Sequence, residues 1–547
     1  MKKIIPIAIL LIIAFLFIFT NKPNQEVITI SDEEYLIIED KTFIENRPVF
    51  LEDGTIYISL EIIKENLDPH IFFDSNENIL ILTNEEKVIR YKLDENLATI
   101  NNREFYTDKN IKLLDGKVYI PDEILKKFYP IGIMYFQDTK AVIIEEDSYN
   151  DVYGQIILEG GNLRTNSDKK SPIVLKSVPI DSELLIFEEF KDWYKIRTYD
   201  GIIGYIEKKY LKINYRKKHN ELTKDIKEEY ELKNEKINLT WDYTHGKMIN
   251  IDNVKYIDGI NILSPTWFSI IDNSGNIFDK GNQDYVKENH ALGYKIWPLI
   301  DNSFDPDLTH ELLSSSIARE NLIKNISNIY REYNVDGINI DFENVHLKDK
   351  DLLTQFVREL YPIFKEKNMV VSMDISPIST SENWSLCFDR LELSKTVDYL
   401  MLMAYDQHWA TSPVAGSVAE YTWVEDSIIK VLDEISNEKL ILGIPFYTRL
   451  WKIENDEISS SAMSMEKANE FIRENNMELE WDEQSGQYYG EVQIENAVYK
   501  IWLEDSDSIR LKSTLVNKYN LAGIASWRKG FETEDIWPVL SNIIQYN

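Results

Sequence analysis

The chain has 547 residues, with 44% hydrophobic and 12% aromatic content, enough for packed cores in roughly two to four domains. Its formal net charge of −33 leaves no excess of Lys and Arg to neutralise phosphates, which excludes nucleic acid as a partner. The single cysteine, Cys387, excludes an intrachain disulfide framework and a cysteine-based zinc site, and the seven scattered histidines suggest no metal.

At the amino terminus, Lys2 and Lys3 precede an uncharged, mostly apolar run from Ile4 to Thr20. At about 1.5 Å per residue the run reaches roughly 25 Å, enough for a thin hydrocarbon core with help from its flanks. It ends in Phe17, Ile18, Phe19 and Thr20 rather than in the small residues of a cleavage site, and no cysteine follows to take a lipid. Residues 1–24 are therefore expected to form an uncleaved membrane anchor, with a cleaved signal as the alternative. The two lysines then stay inside, and the bulk of the chain faces outward.

Residues 45–147 contain an internal echo: "DGTIYISLEIIKE" from Asp53 and "DGKVYIPDEILKK" from Asp115. Each copy reads as a turn dipeptide, an alternating strand and the start of an amphipathic helix, so a duplicated α+β module is expected. It resembles the amino-terminal domain of copper amine oxidases, but no His cluster accompanies it and copper is not carried over. Residues 152–213, with "NLRTNSDKKSPIV", "DWYKIRTYDGIIGYI" and "KKYLK", read as short strands of a small all-β barrel. They resemble a bacterial Src-homology-3-like domain, which implies either wall binding or a spacer. Residues 214–236 have too few apolar side chains for a core and read as a charged linker.

From Ile237 to Asn547 the texture changes. Eight short apolar runs, among them "INLTWD", "DGINIDFE", "DYLMLMAYD" and "LAGIASW", alternate with helical periodicity, as in "LIKNISNIYREYN". This pattern predicts an α/β fold, a (β/α)8 TIM barrel, with an α+β insertion over about 451–513 between strands 7 and 8. A doubly wound open sheet competes, but no glycine-rich phosphate loop follows the first run.

In "VDGINIDFENV", Asn339, Asp341 and Glu343 recur at two-residue spacing against Ile338, Ile340 and Phe342. Alternate side chains of a strand share a face, so the polar row would face water on a surface strand and would line the interior of a parallel barrel. In the barrel, functional residues project from the carboxyl ends of the strands. Burial and repulsion from Asp341 would then raise the Glu343 pKa and keep a proton available near neutral pH.

Asp336, Asn339, Asp341 and Glu343 resemble the D-x-x-D-x-D-x-E signature of glycoside hydrolase family 18, which includes chitinases and related N-acetylglucosaminidases. Met403–Asp406 ("MAYD"), "GIPFYTRLW" and "GIASW" agree with it. "SPTWF" (Ser264–Phe268) and "WLED" (Trp502–Asp505) look closest to the spore and cell-wall peptidoglycan branch. One departure is Asn339, where chitinases carry Asp. The resemblance implies substrate-assisted retaining hydrolysis without metal or cofactor, an exception to the two-carboxylate scheme. Glu343 would be the acid and base, Asp341 would hold the acetamido N–H, and Tyr405 would donate to the acetamido oxygen. Asn339, Asp336, Asp406, Trp527 and Trp267 would bind substrate, with Trp527 as the sugar floor and Asp374 as a further pocket candidate. Trp297 and Trp409 are candidates for platform or packing, and His408 for a loop hydrogen bond.

The function implied is a glycosidase cutting β-1,4 bonds beside N-acetylglucosamine in peptidoglycan, in the cell wall or spore cortex. The alternatives are a chitinase or chitooligosaccharide hydrolase, a non-catalytic sugar-binding protein on the same barrel, or a scaffold in which the amino-terminal modules dominate.

Overall fold

The computed structural model describes residues 22–93, 95–146, 151–217, 236–244 and 256–545. The apolar run Ile4–Thr20 and most of the charged stretch 214–236 lie outside the described residues. Among the described residues no helix is long and apolar enough to cross a membrane. The chain divides into two compact units, one built from most of the amino-terminal half. The other holds the carboxy-terminal region together with Phe72–Arg90 and Thr99–Glu104.

In the first unit the two copies of the sequence echo are partners in one sheet. Strands Thr55–Ser59 and Lys117–Pro121 pair antiparallel, with Ile58 opposite Ile120, and each runs into a short helix, Leu60–Asn66 or Asp122–Phe128. Asp53 and Asp115 both have φ of 51°, and Gly54 and Gly116 both have φ of 78°. A hairpin turn of the I′ type needs positive φ at both central residues, which is why Asp-Gly recurs there. The same unit carries a seven-stranded antiparallel sheet between Asp151 and Lys217, around a core of Ile156, Leu163, Leu184, Ile196 and Ile206.

The second unit is a closed barrel. Its strands are β1 (Ile237–Asp242), β2 (Ile262–Ile270), β3 (Leu299–Asp301), β4 (Gly337–Asp341), β5 (Val370–Ile375), β6 (Tyr399–Met403), β7 (Leu440–Pro445) and β8 (Gly523–Trp527). All pair in parallel with their neighbours, and β8 closes on β1 with Gly523 opposite Ile237. A Cβ at Gly523 would meet the Ile237 carbonyl oxygen at 2.1 Å, so closure here requires glycine. The open doubly wound alternative is excluded.

Two apolar layers follow from the strand alternation. Leu239, Trp241, Trp297, Leu299, Met401 and Ile441 pack inside the barrel. Ile338, Ile340, Phe342, Leu402, Leu442 and Ile524 pack outward against the helices. Helices α1 (Ser316–Tyr333) and α2 (Lys350–Lys365) cover β4, and Phe342 stacks on Phe356 of α2 at 5.4 Å. Turning the apolar side of β4 outward leaves Asn339 and Asp341 on the interior, so the surface-strand reading fails.

One charged cluster is sealed into this outer layer. Glu359 of α2 accepts from Arg319 Nε at 3.1 Å and Nη2 at 2.9 Å, and from Arg90 Nη2 at 2.9 Å. Burial pushes the Glu359 carboxyl up, but Arg319 and Arg90 outweigh it and hold the group below its ordinary range.

Between β7 and β8 lies a five-stranded antiparallel sheet spanning residues 447–503, with helix Met465–Glu474. Residues Ser506–Lys518, whose first part the sequence texture leaves inside the insertion, form a barrel helix started by the Asp505 capping box. At this root Lys512 Nζ donates to both oxygens of Glu504, at 2.7 and 2.9 Å, and neither side chain is exposed.

Candidate active site

The polar row of β4 climbs the barrel interior toward its carboxyl mouth. Asn339, at the bottom, is fully buried. Its Oδ1 accepts from Trp241 Nε1 at 2.7 Å and Ser264 Oγ at 3.3 Å, and its Nδ2 donates to Asp374 Oδ1 at 2.8 Å. With its amide fully engaged and no surface, Asn339 is a strut under the site rather than a sugar contact, which corrects the sequence expectation.

Asp341 stands above it. The carboxyl is buried, and Oδ1 accepts no hydrogen bond among the described residues. Burial first, then the charges of Glu343, Asp374 and Asp301, push its pKa well above the usual carboxylate range. Asp374 is raised in the same way, by burial and Glu343, against the pull of the Asn339 amide.

Glu343 lies two residues beyond β4. Asn302, just after β3, grips its backbone at two points: Asn302 Oδ1 accepts from the Glu343 N–H at 3.1 Å, and Nδ2 donates to its carbonyl at 2.8 Å. The carboxyl of Glu343 is pushed up to about 7, by burial first and then by Asp406 and Asp301. The burial expected from the sequence is present, but the expected repulsion from Asp341 is replaced by that from Asp406 and Asp301. In the structure the repulsion within the Glu343–Asp341 pair falls on Asp341.

Tyr405, two residues past β6, is held far above its ordinary pKa by burial and by the Asp374, Glu343 and Asp341 carboxyls. It is therefore a hydroxyl donor surrounded by three acids. Its neighbour Asp406 has a left-handed φ of 56°, and its Oδ1 accepts from Tyr447 Oη at 2.7 Å and Arg449 Nη2 at 2.9 Å. Trp527, at the end of β8, lies 5.9 Å from Trp241 and 6.5 Å from Tyr243, half-buried over the interior.

Two expected sugar contacts are misplaced. Trp267 has no exposed surface and packs on the outer wall among Phe268, Tyr285 and Tyr333, out of reach of any ligand. Asp336 precedes β4, at the opposite end of the barrel from Glu343. It accepts from Lys295 Nζ at 2.9 Å and the Ile296 N–H at 2.9 Å, and lies 2.7 Å from His290 Nε2, tying adjacent strands together. Trp297 is core, stacked 6.0 Å from Tyr399, whereas Trp409 is exposed on the loop after β6. His408 Nδ1 lies 2.8 Å from the Ser417 carbonyl, a loop hydrogen bond, and the Cys387 thiol is buried and pushed up to about 11.

Sequence reasoning missed Asp301, Asn302, Tyr447 and Arg449. Asp301 and Asn302 follow the apolar "PLI" as Asp341 follows its own run, so strand-end position was the available signal. Among the described residues no group of His, Cys, Asp and Glu is arranged to hold a metal ion.

Residues 309–531 match the family model for glycosyl hydrolases family 18. Over that span the barrel is similar to the glycosyl hydrolases of family 18. Residues 25–144 match the copper amine oxidase N-terminal domain, and residues 159–212 the bacterial SH3 domain. An uncharacterized glycosylase of Bacillus subtilis (strain 168), YvbX, is 24% identical over 317 residues, 55% of this chain and 90% of its own. The cortical fragment-lytic enzyme of the same organism is 26% identical over 266 residues, 48% of this chain and 61% of its own. A solved chitinase from Chromobacterium violaceum ATCC 12472 superposes with a TM-score of 0.50 at 18% identity, covering 57% of this chain and 100% of that one. That last likeness is one of fold.

Proposed function

We propose that the family 18 barrel is a retaining glycosidase that cleaves β-1,4 bonds beside N-acetylglucosamine in peptidoglycan, with the sugar's own acetamido group as nucleophile. One observation carries this reading. Glu343, with its carboxyl pushed up to about 7, and Asp341, with a buried oxygen that meets no donor among the described residues, stand one pleat apart at the barrel mouth.

Glu343 gives its proton to the glycosidic oxygen as the bond from the anomeric carbon breaks. The acetamido oxygen forms the new bond to that carbon, and Asp341 Oδ1 accepts the acetamido N–H as positive charge develops. The Tyr405 hydroxyl donates to the acetamido oxygen and fixes its approach. Water then attacks the anomeric carbon as its bond to the acetamido oxygen breaks, Glu343 takes the water's proton, and the product forms with retained configuration. Donors and carboxylates already in place account for several kcal/mol of barrier reduction in sites of this kind.

The relative named for cortical fragment lysis and the bacterial SH3 domain support peptidoglycan as the substrate. Mass spectrometry of purified peptidoglycan after digestion tests it: fragments should carry N-acetylglucosamine at the reducing end. Intact peptidoglycan alongside cleaved chitin oligomers would turn the assignment to chitin. The apolar run Ile4–Thr20 supports a site of action outside the cell membrane, with the chain tethered there. Release of the intact protein into the medium rather than the membrane fraction would overturn the tether.

A further inference from the structure

Directly after the Trp527 floor stands Arg528, half-buried at the barrel mouth. Its guanidinium is stacked over Tyr243 at 4.5 Å on one contact and over Phe531 at 4.0 Å on another. Aromatic stacking occupies the faces of a guanidinium and leaves the in-plane N–H fork for a ligand. Among the described residues, no hydrogen bond or ion pair engages that fork. Tyr243 packs against both Trp527 and Arg528, so the cation lies one ring away from the sugar floor.

The surroundings make this arrangement unusual. The mouth is lined by Asp242, Asp301, Asp341, Glu343, Asp374 and Asp406, on a chain of net charge −33. Among the described residues, the other cations near it are engaged. Lys529 Nζ donates to Asp242 Oδ2 at 2.7 Å, Arg449 to Asp406 at 2.9 Å, and Lys280 Nζ to the Thr244 carbonyl at 3.4 Å. Burial works against the charge of Arg528, though Tyr243 and Asp242 favour it. Among the described residues of such a mouth, this fork is the place where an anionic ligand would meet attraction rather than repulsion.

We propose that Arg528 is a specificity residue that binds a carboxylate on the sugar adjoining the one seated on Trp527. Such a carboxylate is carried by the lactyl ether or stem peptide of muramic acid and is absent from chitin. The inference rests on the peptidoglycan reading above and deepens it: the planar fork suits bidentate capture of a carboxylate.

The test compares Arg528→Gln and Arg528→Lys with the wild-type full chain on two oligosaccharides of equal length, one of N-acetylglucosamine alone and one with alternating muramic acid. Arg528→Gln should lose about ten- to hundredfold in kcat/KM on the muramyl glycan, the strength of a charge-assisted hydrogen bond, and less than about threefold on the neutral one. Arg528→Lys should recover part of the difference, because charge returns without the fork. In the inactive Glu343→Gln background, binding of the muramyl glycan should weaken with added salt, and Arg528→Gln should remove that dependence. Equal loss on both glycans, or no loss on either, overturns the assignment while leaving the peptidoglycan function standing. A wild type that cleaves only the neutral oligomer overturns that function and the role of Arg528 with it.

Discussion

The side-chain amide of Asn339 donates a 2.8 Å hydrogen bond to Asp374 Oδ1, and its carbonyl oxygen holds the Trp241 indole at 2.7 Å. Asn339→Asp keeps the acceptor for Trp241 but removes the donor to Asp374 and sets two carboxyls against each other. One of them keeps a proton until the second ionisation of the pair, which then adds a charge beneath Asp341 and raises the pKa of the groups above. The alkaline limb of the kcat/KM profile should move up by on the order of one pH unit. An unmoved profile would show that the row is not electrically coupled.

The pH dependence of Glu343 has a definite sign. Its folded pKa, about 7, lies above the ordinary value of 4.5, so its contribution to stability is complete below 4.5 and is lost as pH rises through 7. Turnover that needs the protonated acid should decline over the same upper range. Glu343→Gln should abolish nearly all turnover while retaining sugar binding. It should also raise stability by about 3 kcal/mol at pH 8 with little change at pH 4. Thermal melts at the two pH values check this, and an equal shift at both contradicts the buried, raised carboxyl.

Asp341→Asn and Tyr405→Phe remove the two groups assigned to the acetamido. Each should lower kcat by about 10²- to 10³-fold with KM changed far less, as for other preorganised groups that act on developing charge. Added azide should not rescue Asp341→Asn with inverted product, because the attacking atom belongs to the substrate. Azide rescue with inversion would make Asp341 itself the nucleophile.

Glu359→Gln leaves Arg319 and Arg90 facing each other without a counter-charge in the outer layer. A loss of about 3–5 kcal/mol in unfolding free energy is expected, the usual effect of breaking a buried pair. Replacing all three with apolar residues of similar volume should cost much less. Denaturant titrations of both variants distinguish a specific charge cluster from simple packing.

The sequence made the barrel legible because parallel strands buried on both faces read as uninterrupted apolar runs. It exposed Asp341 and Glu343 because a polar row inside such a run has no water to face. Trp267 was misread for a physical reason: position along a strand is visible in sequence, but whether an aromatic faces the bore or the helices depends on pleat register. On β2 that register is shifted between Thr266 and Phe268. Asp336 and Asn339 share a motif with the acids, yet burial and hydrogen bonding spend them on holding strands and neighbours. Asn302 was hidden because it acts on the backbone of Glu343, a relation between two loops that spacing does not encode. Tyr447 and Arg449 reach Asp406 across the chain reversal after β7, which is also silent in sequence.

Tyr447 and Arg449 stand on the first strand of the inserted sheet, and both fasten Asp406, the charge that acts most strongly on Glu343. The lobe therefore cannot be pruned to obtain a smaller enzyme. Without its first strand, Asp406 would be unmoored, and Glu343 would lose a neighbour that sets its acidity.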